Sequence, residues 1–301
     1  MVPSNIDKNV ARKREIINLS DTSNKFVPTV IEFSTSGLCN RKCIFCPRSA
    51  PDYKHVNSHM SHEYISKICQ ELPKGNFYYF VFSGFSEPLL TKHLEELIEI
   101  LKFHHPNSRV EINTNTDLIT PSRVNSLFKS GLDGIICSIY DSEERLKEVK
   151  KILENCSLTN NQYELRPRYF RKDKDGDNAL DDYGINLSNR AGMMENAEYA
   201  IPALKEPLAK ACYYPFYVIF MDYNGDYLLC SHDWGKRDKL GNVSTHHIMN
   251  DIWMSEKIEH IRKRLLSLDR SCSGACKLCD VPGTLMGIEQ VNKWKLIRSE
   301  N

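Results

Sequence analysis

Short runs in which apolar and polar residues alternate are separated along this chain by longer segments whose apolar positions recur every three or four residues. Alternation with period two predicts strands, and a period near 3.6 predicts helices. Strands are expected over 30–34, 77–82, 110–114, 134–139 and 162–169, with a sixth near 183–188. Helices are expected over 61–72, from an N-cap at Thr91 through His104, from Thr120-Pro121 to Ser130, and from Ser142 to Asn155. The repeated strand–helix unit argues for a parallel sheet. Six units fall short of the eight of a closed barrel, so the expected architecture is α/β, a partial, open (β/α)6 barrel.

The pattern changes after Ala203. Two short apolar runs, 216–221 and 227–230, flank Asn224-Gly225, a dipeptide suited to a tight hairpin turn. One amphipathic helix over 258–268 and a cysteine cluster follow. The expected organisation is a polar leader over 1–27, partly helical around 11–19, a barrel over 28–209, a smaller cysteine-rich unit over 210–281 and a tail over 282–301. Residues 171–182 are a charged loop. Its Asp173-x-Asp175-x-Asp177 resembles a calcium loop, but the glycine and the terminal glutamate are misplaced, and it reads as a solvated linker.

Composition narrows the function classes. The 301 residues are 41% apolar and 26% charged, as in an ordinary globular protein, and 40 basic residues balance 39 acidic ones to a net charge of +1. No global field points to nucleic acid or an anionic membrane. No run of about 18 apolar residues exists to span a bilayer. The first 28 residues lack the apolar core of a secretory signal, so the expected compartment is the cytoplasm. There, eleven cysteines in clusters point to metal rather than disulfides.

The first cluster is Gly37-Leu-Cys-Asn-Arg-Lys-Cys-Ile-Phe-Cys-Pro47, directly after the first strand. Cys39, Cys43 and Cys46 can hold three irons of a cubic cluster and leave the fourth open to bind and activate a ligand. Half of a zinc site is the competing reading, but structural zinc takes four ligands, usually as two separated pairs. The second set is Cys212, Cys230, Cys276 and Cys279, two plus two, enough to enclose a whole cluster or a zinc ion. Cys272 is surplus to it, while Cys69, Cys137 and Cys156 read as buried small hydrophobes.

The C-x3-C-x2-C spacing with Phe45 before the last cysteine resembles the radical S-adenosylmethionine (radical SAM) superfamily. Ser83-Gly-Phe-Ser-Glu87-Pro88 after the second strand resembles the segment whose backbone binds the methionine amino group, with Ser83 in place of the first glycine and one residue inserted. Thr114-Asn115 resembles a family turn after the third strand. Ser138 takes the place of a ribose-contacting residue, Phe45 that of a residue beside the adenine, and Arg166 or Arg168 could meet the methionine carboxylate. The later segments Cys212…Gly225-x4-Cys230, Ser231-His-Asp-Trp234, Leu240-Gly-Asn-Val243, Ile252-Trp253-x-Ser255 and the terminal cysteine pair resemble the SPASM/twitch extension. In the short twitch form that extension carries a single auxiliary cluster on four cysteines.

What the resemblance implies is S-adenosylmethionine and two 4Fe–4S clusters as cofactors, with a 5′-deoxyadenosyl radical that abstracts hydrogen from an unactivated carbon. The auxiliary cluster would take an electron from the substrate, giving oxidation of an alcohol carbon in a sugar or aminocyclitol. Phe45, Ser83, Gly84, Glu87, Asn115, Ser138 and Arg166 are the expected cofactor contacts. Tyr140, Arg168 and Arg190 are the candidate catalytic groups, with Arg190 lying in Asn189-Arg-Ala-Gly192. The reductant would be external, such as flavodoxin or ferredoxin. A peptide maturase, an epimerase, or a non-catalytic iron–sulfur or zinc protein are the alternatives.

Overall fold

Strands whose two faces both face protein carry apolar residues on each, and the first strands of this chain do so in register. The computed structural model describes residues 5–19, 25–169 and 187–299. Helix α1 (Asn5–Leu19) comes first. Five strand–helix units then run β1 (Val30–Phe33), α2 (His62–Glu71), β2 (Tyr79–Phe82), α3 (Leu94–His104), β3 (Arg109–Thr114), α4 (Pro121–Lys129), β4 (Gly134–Ile139), α5 (Glu143–Asn155) and β5 (Tyr163–Pro167). After them come the short helix α6 (Tyr214–Tyr217), strands β6 (Val218–Met221), β7 (Asp226–Leu228) and β8 (Lys239–Asn242), and helices α7 (Glu256–Leu266) and α8 (Ile288–Ser299).

All eight strands form one open sheet in the order β5-β4-β3-β2-β1-β6-β7-β8. The first six of that order pair in parallel, and the β6–β7–β8 meander closes the edge antiparallel. The expected α/β partial barrel is thus present, but its sixth parallel strand is not the one expected. The place beside β1 is taken by β6, in register Val30 to Val218, a strand read from the sequence only as one arm of a hairpin. Most of 183–188, like the 171–182 loop with its aspartates, lies outside the described residues. Leu187 and Ser188 are not in a strand.

Alternate residues of each strand go to opposite layers. Ile31, Phe33, Phe80, Phe82, Val110, Ile112, Ile135 and Ile139 pack outward against the helices in the main core. Their neighbours Glu32, Val81, Asn113, Ile136, Ser138 and Arg166 point inward and line a cavity. The core is large, aromatic and dry on one side, and polar on the other.

Local signals explain most element boundaries. Ser61, Thr120 and Ser142 each accept a backbone N–H at a helix start, worth ~1 kcal/mol apiece. Thr91 does not cap α3. Its hydroxyl donates instead to Thr35 Oγ1 at 2.8 Å, and α3 begins after His93 without a side-chain cap. Gly225 at the hairpin has φ +83°, which glycine alone adopts freely. Cys69 and Cys137 are fully buried as expected, whereas Cys156 is only half-buried at the end of α5.

The leader and the tail are more ordered than their polarity predicts. In α1, Ile16 and Ile17 bury against Val30, Tyr79, Val81, Tyr217 and Val218. Arg12 of α1 pairs with Glu111, a fully buried carboxylate that also accepts from Arg109 Nε at 2.6 Å and from the Tyr79 hydroxyl. The tail forms α8, where Trp294 Nε1 donates to Glu259 at 2.9 Å.

Candidate active site

The loop after β1 carries Cys39, Cys43 and Cys46 at the carboxyl end of the parallel strands. Two sets of contacts hold it there. Arg41 bonds Asp117 beyond β3 and Asp141 beyond β4, and Asn40 Nδ2 donates to Asp117 at 2.7 Å. On the other side Arg48, 2% exposed, donates to the carbonyls of Gly37 (3.0 Å) and Phe85 (2.9 Å). Arg48 therefore latches the cysteine loop to the segment after β2. A lone arginine after a Cys-Pro pair gave no signal of this.

That segment turns at Gly84, with φ +74°. A Cβ there would lie 2.7 Å from the Phe220 ring, so the turn admits only glycine without strain. Both Glu87 oxygens are used within the protein. Oε1 accepts from Thr114 Oγ1 (2.7 Å) and Leu89 N (3.1 Å), and Oε2 from Asn115 N (2.8 Å). Burial raises the Glu87 pKa against those three hydrogen bonds. Its carboxylate pins the Thr114-Asn115 turn, and Asn115 Nδ2 in turn reaches Asn40 Oδ1 at 2.8 Å and Cys39 Sγ at 3.8 Å.

The opposite wall is aromatic and cationic. Phe45 packs on Tyr140 with ring centroids 5.3 Å apart. Ser138 Oγ donates to Asn113 Oδ1 at 3.2 Å. The Arg166 fork is already bidentate to Glu164, with both bonds 2.8 Å. Arg168, one residue beyond β5, is different: its Nε is buried without a partner, and burial lowers its pKa. Of the two arginines, Arg168 is the one with a buried guanidinium nitrogen left unbonded.

The expected cofactor contacts and catalytic candidates, Ser83 and Arg190 included, line one cavity of about 470 Å³ together with the three cysteines. His232, Tyr214 and residues 280–283 also line it. His232 Nδ1 lies 3.4 Å from Arg190 Nη1, and Nε2 lies 3.4 Å from the Tyr214 hydroxyl. Burial and the charges of Arg190 and Lys13 lower the His232 pKa to about 3, so the ring is neutral. Arg190, Ala191 and Gly192 all have positive φ. That bend is held by Asn189, whose Nδ2 donates to Leu278 O at 2.7 Å and whose N–H donates to Asp280 at 2.9 Å.

The second cysteine set is drawn together by two residues the sequence did not single out. Arg270, 1% exposed, donates to Lys210 O and Ala211 O on the Cys212 side, and to Val281 O and Pro282 O beyond Cys279. Asp238 accepts from Ser273 Oγ, Gly274 N (3.0 Å) and Ala275 N (2.7 Å), shaping the turn into Cys276. Asp233 accepts from Asp238 N at 2.8 Å and ties this turn to the loop after Cys230. Gly283, with φ +75°, leaves room for Cys212 Sγ, which a Cβ would meet at 2.5 Å.

Burial raises the pKa of all seven thiols. Mutual repulsion adds to this for Cys43, pushed up to about 12, and for Cys230, on which Cys276, Cys279 and Cys212 weigh. Cys272 stands apart, its thiol directed to Asp269 O at 3.5 Å. Among the described residues no three His, Cys, Asp or Glu side chains converge closely enough to hold a single metal ion. Sulfurs around one zinc ion would sit ~3.8 Å apart, from a Zn–S bond of about 2.3 Å. Clustered, buried thiols suit a multiply charged iron–sulfur core, which would stabilise their thiolates.

Comparison with known proteins agrees. Residues 33–164 match the radical SAM superfamily, and residues 212–280 match SPASM, an iron–sulfur cluster-binding domain. The chain is a radical SAM enzyme. Its cofactors are S-adenosylmethionine and 4Fe–4S clusters, and a non-catalytic carrier or zinc protein is set aside. A relative, the S-adenosyl-L-methionine-dependent 2-deoxy-scyllo-inosamine dehydrogenase of Niallia circulans, is 26% identical over 254 residues, 84% of this chain and 92% of that protein. The crystal structure of BtrN in complex with AdoMet and 2-DOIA superposes with a TM-score of 0.66 at 23% identity, over 85% of this radical SAM enzyme and 94% of BtrN. Streptococcus suis SuiB, bound to its precursor peptide SuiA, shares the fold with a TM-score of 0.57 at 16% identity, over 90% of this chain and 74% of SuiB. No described helix of the enzyme is long and apolar enough to cross a membrane.

Proposed function

We propose that this radical SAM enzyme oxidises an alcohol carbon of a small polyhydroxylated molecule, a sugar or aminocyclitol. The observation that carries the reading is one cavity lined both by the first cysteine set and by the residues that directly follow Cys230 and Cys279. Cys39, Cys43 and Cys46 share its wall with Ser231, His232 and residues 280–283. Its volume is that of a small-molecule site. The name of the Niallia circulans relative, a dehydrogenase of an inosamine, points the same way.

With its cofactors bound, the site supplies hydrogen-atom abstraction at the first cysteine set and an electron acceptor at the second. The chain's own part is positioning. Glu87 fixes the Asn115 turn, Gly84 lets the backbone after β2 face the cavity, and Phe45 with Tyr140 forms an aromatic wall for an adenine. The Arg168 guanidinium, whose Nε is unbonded, would meet the methionine carboxylate. Arg190 and Tyr140 then orient the substrate alcohol within the cavity.

The test uses anaerobically reconstituted protein. Two full clusters correspond to ~8 irons per chain, and reduced enzyme should release 5′-deoxyadenosine. Cys39→Ala should abolish that release while retaining about half the iron. Unchanged release from Cys39→Ala would overturn the assignment of the first cysteine set.

A further inference from the structure

The cavity reaches well beyond the cysteine loop. Val30, Tyr79 and Val218 are the first residues of β1, β2 and β6, aligned in register. All three line the same cavity as Cys39, Cys43 and Cys46, which follow the last residue of β1. From Val30 to Phe33 the strand covers about 10 Å. The cavity therefore runs the depth of the sheet, from the cysteines to the amino ends of the strands.

Helix α1 covers those amino ends. Ile16 and Ile17 share a buried cluster with the three first residues and with Val81 and Tyr217. Arg12 pairs with Glu111 of β3 and lies 3.4 Å from Glu164 of β5. Arg14 Nη2 donates to Leu285 O at 2.7 Å. Strands β1, β2, β3, β5 and β6 thus all hold the helix. Val10, Lys13 and Ile17 line the cavity, and their spacing of three and then four residues puts them on one face of α1. Ile16, buried beside Ile17 in the same cluster, lies outside that lining.

The expected cofactor contacts gather at the opposite ends of the strands: Ser83 follows β2, Asn115 follows β3 and Arg168 follows β5. We infer that α1 is the floor of the substrate site, and that Ile17 sets how far a substrate extends away from the cofactor. This deepens the proposed oxidation and rests on it: the molecule oxidised is a compact polyol, without a bulky arm at the ring position that faces α1. The leader is then a determinant of specificity as well as a structural support.

Equilibrium binding to the reconstituted enzyme with S-adenosylmethionine tests this without turnover. The probes are inositol and its mono-O-propyl ethers, one for each ring position, so that an arm meets α1 in at least one of them. For that ether, affinity relative to inositol should rise about 10-fold from wild type to Ile17→Ala, since each methylene received by the vacated space is worth roughly 4-fold. Ile17→Val, which leaves the helix seated, should give a smaller rise with the same ether. Ile16→Ala removes as much side chain from the same cluster and should leave every ratio at its wild-type value. Circular dichroism and iron content verify that the variants are folded. Unchanged ratios for all ethers in both Ile17 variants, or the same rise in Ile16→Ala, would overturn the inference. Failure of inositol and every ether to bind the wild type would overturn the proposed function on which it rests, so the two failures are distinct.

Discussion

Gly84→Ala isolates what the turn after β2 demands of its backbone. Two costs are separable in this chain, because Gly75 has nearly the same backbone, φ +77° against φ +74°, yet a Cβ at Gly75 would meet nothing within 4 Å. Gly75→Ala should therefore cost only the left-handed conformation, ~1–2 kcal/mol. At Gly84 the new methyl would lie 2.7 Å from two atoms of the Phe220 ring and 3.2 Å from Ser34 Cβ. Phe220 cannot retreat: it is fully buried and packed on Phe85 with centroids 4.6 Å apart. Overpacking of this kind adds ~1–3 kcal/mol, for a total of about 2–5 kcal/mol. For a chain of this length each kcal/mol lowers the melting temperature by roughly 2 °C. Thermal or urea melts of both variants under reducing, anaerobic conditions give the comparison. S-adenosylmethionine affinity should fall in Gly84→Ala alone, since only that turn lines the cavity. A Gly84→Ala protein no less stable than Gly75→Ala would show that the close approach to Phe220 does not constrain the turn.

Other outcomes follow from the same contacts. Asp238→Ala strands the N–H groups of Gly274 and Ala275 and the Ser273 hydroxyl, each costing ~1–3 kcal/mol if left buried and unbonded; iron per chain should fall from ~8 toward about 4, and full iron content would refute the role given to that turn. The docking of α1 should be acid-labile. Burial alone would raise the Glu111 pKa, but Arg12 and Arg109 outweigh it and hold the carboxylate below its usual value. A depressed folded pKa stabilises above the unfolded value of about 4.3, and that stabilisation is lost as pH falls through the folded one. Melts between pH 5 and 3 should drop more steeply for the wild type than for Glu111→Gln, and parallel curves would contradict the pairing.

Much of the fold was legible because its signals are local. Capping by Thr120-Pro121 and Ser142, the Asn-Gly hairpin and the short apolar runs of β1 to β5 depend on residues a few positions apart, and these elements form where the pattern places them. The cysteine triplet was legible for the same reason: its ligands are close in sequence. Thr91 misled because its hydroxyl found a partner in Thr35, 56 residues away, which no local rule weighs.

The rest was decided by contacts between distant segments. Alternation marks a strand but not its neighbour, so β6 read as half of a hairpin until the sheet set it beside β1 in the sixth parallel place. The helix expected in the leader docks against the barrel because Glu111 and Glu164 offer Arg12 partners about 100 and 150 residues ahead. Arg48, Arg270 and Asp238 carry no pattern at all, since each acts by gathering backbone groups that only folding brings near. The chain's local chemistry marked Cys39, Cys43 and Cys46 as a cluster-binding triplet, and the resemblance it carries implied radical chemistry. Tertiary structure alone decided what else faces that site, because a cavity's charge is a sum over residues that sequence order keeps apart.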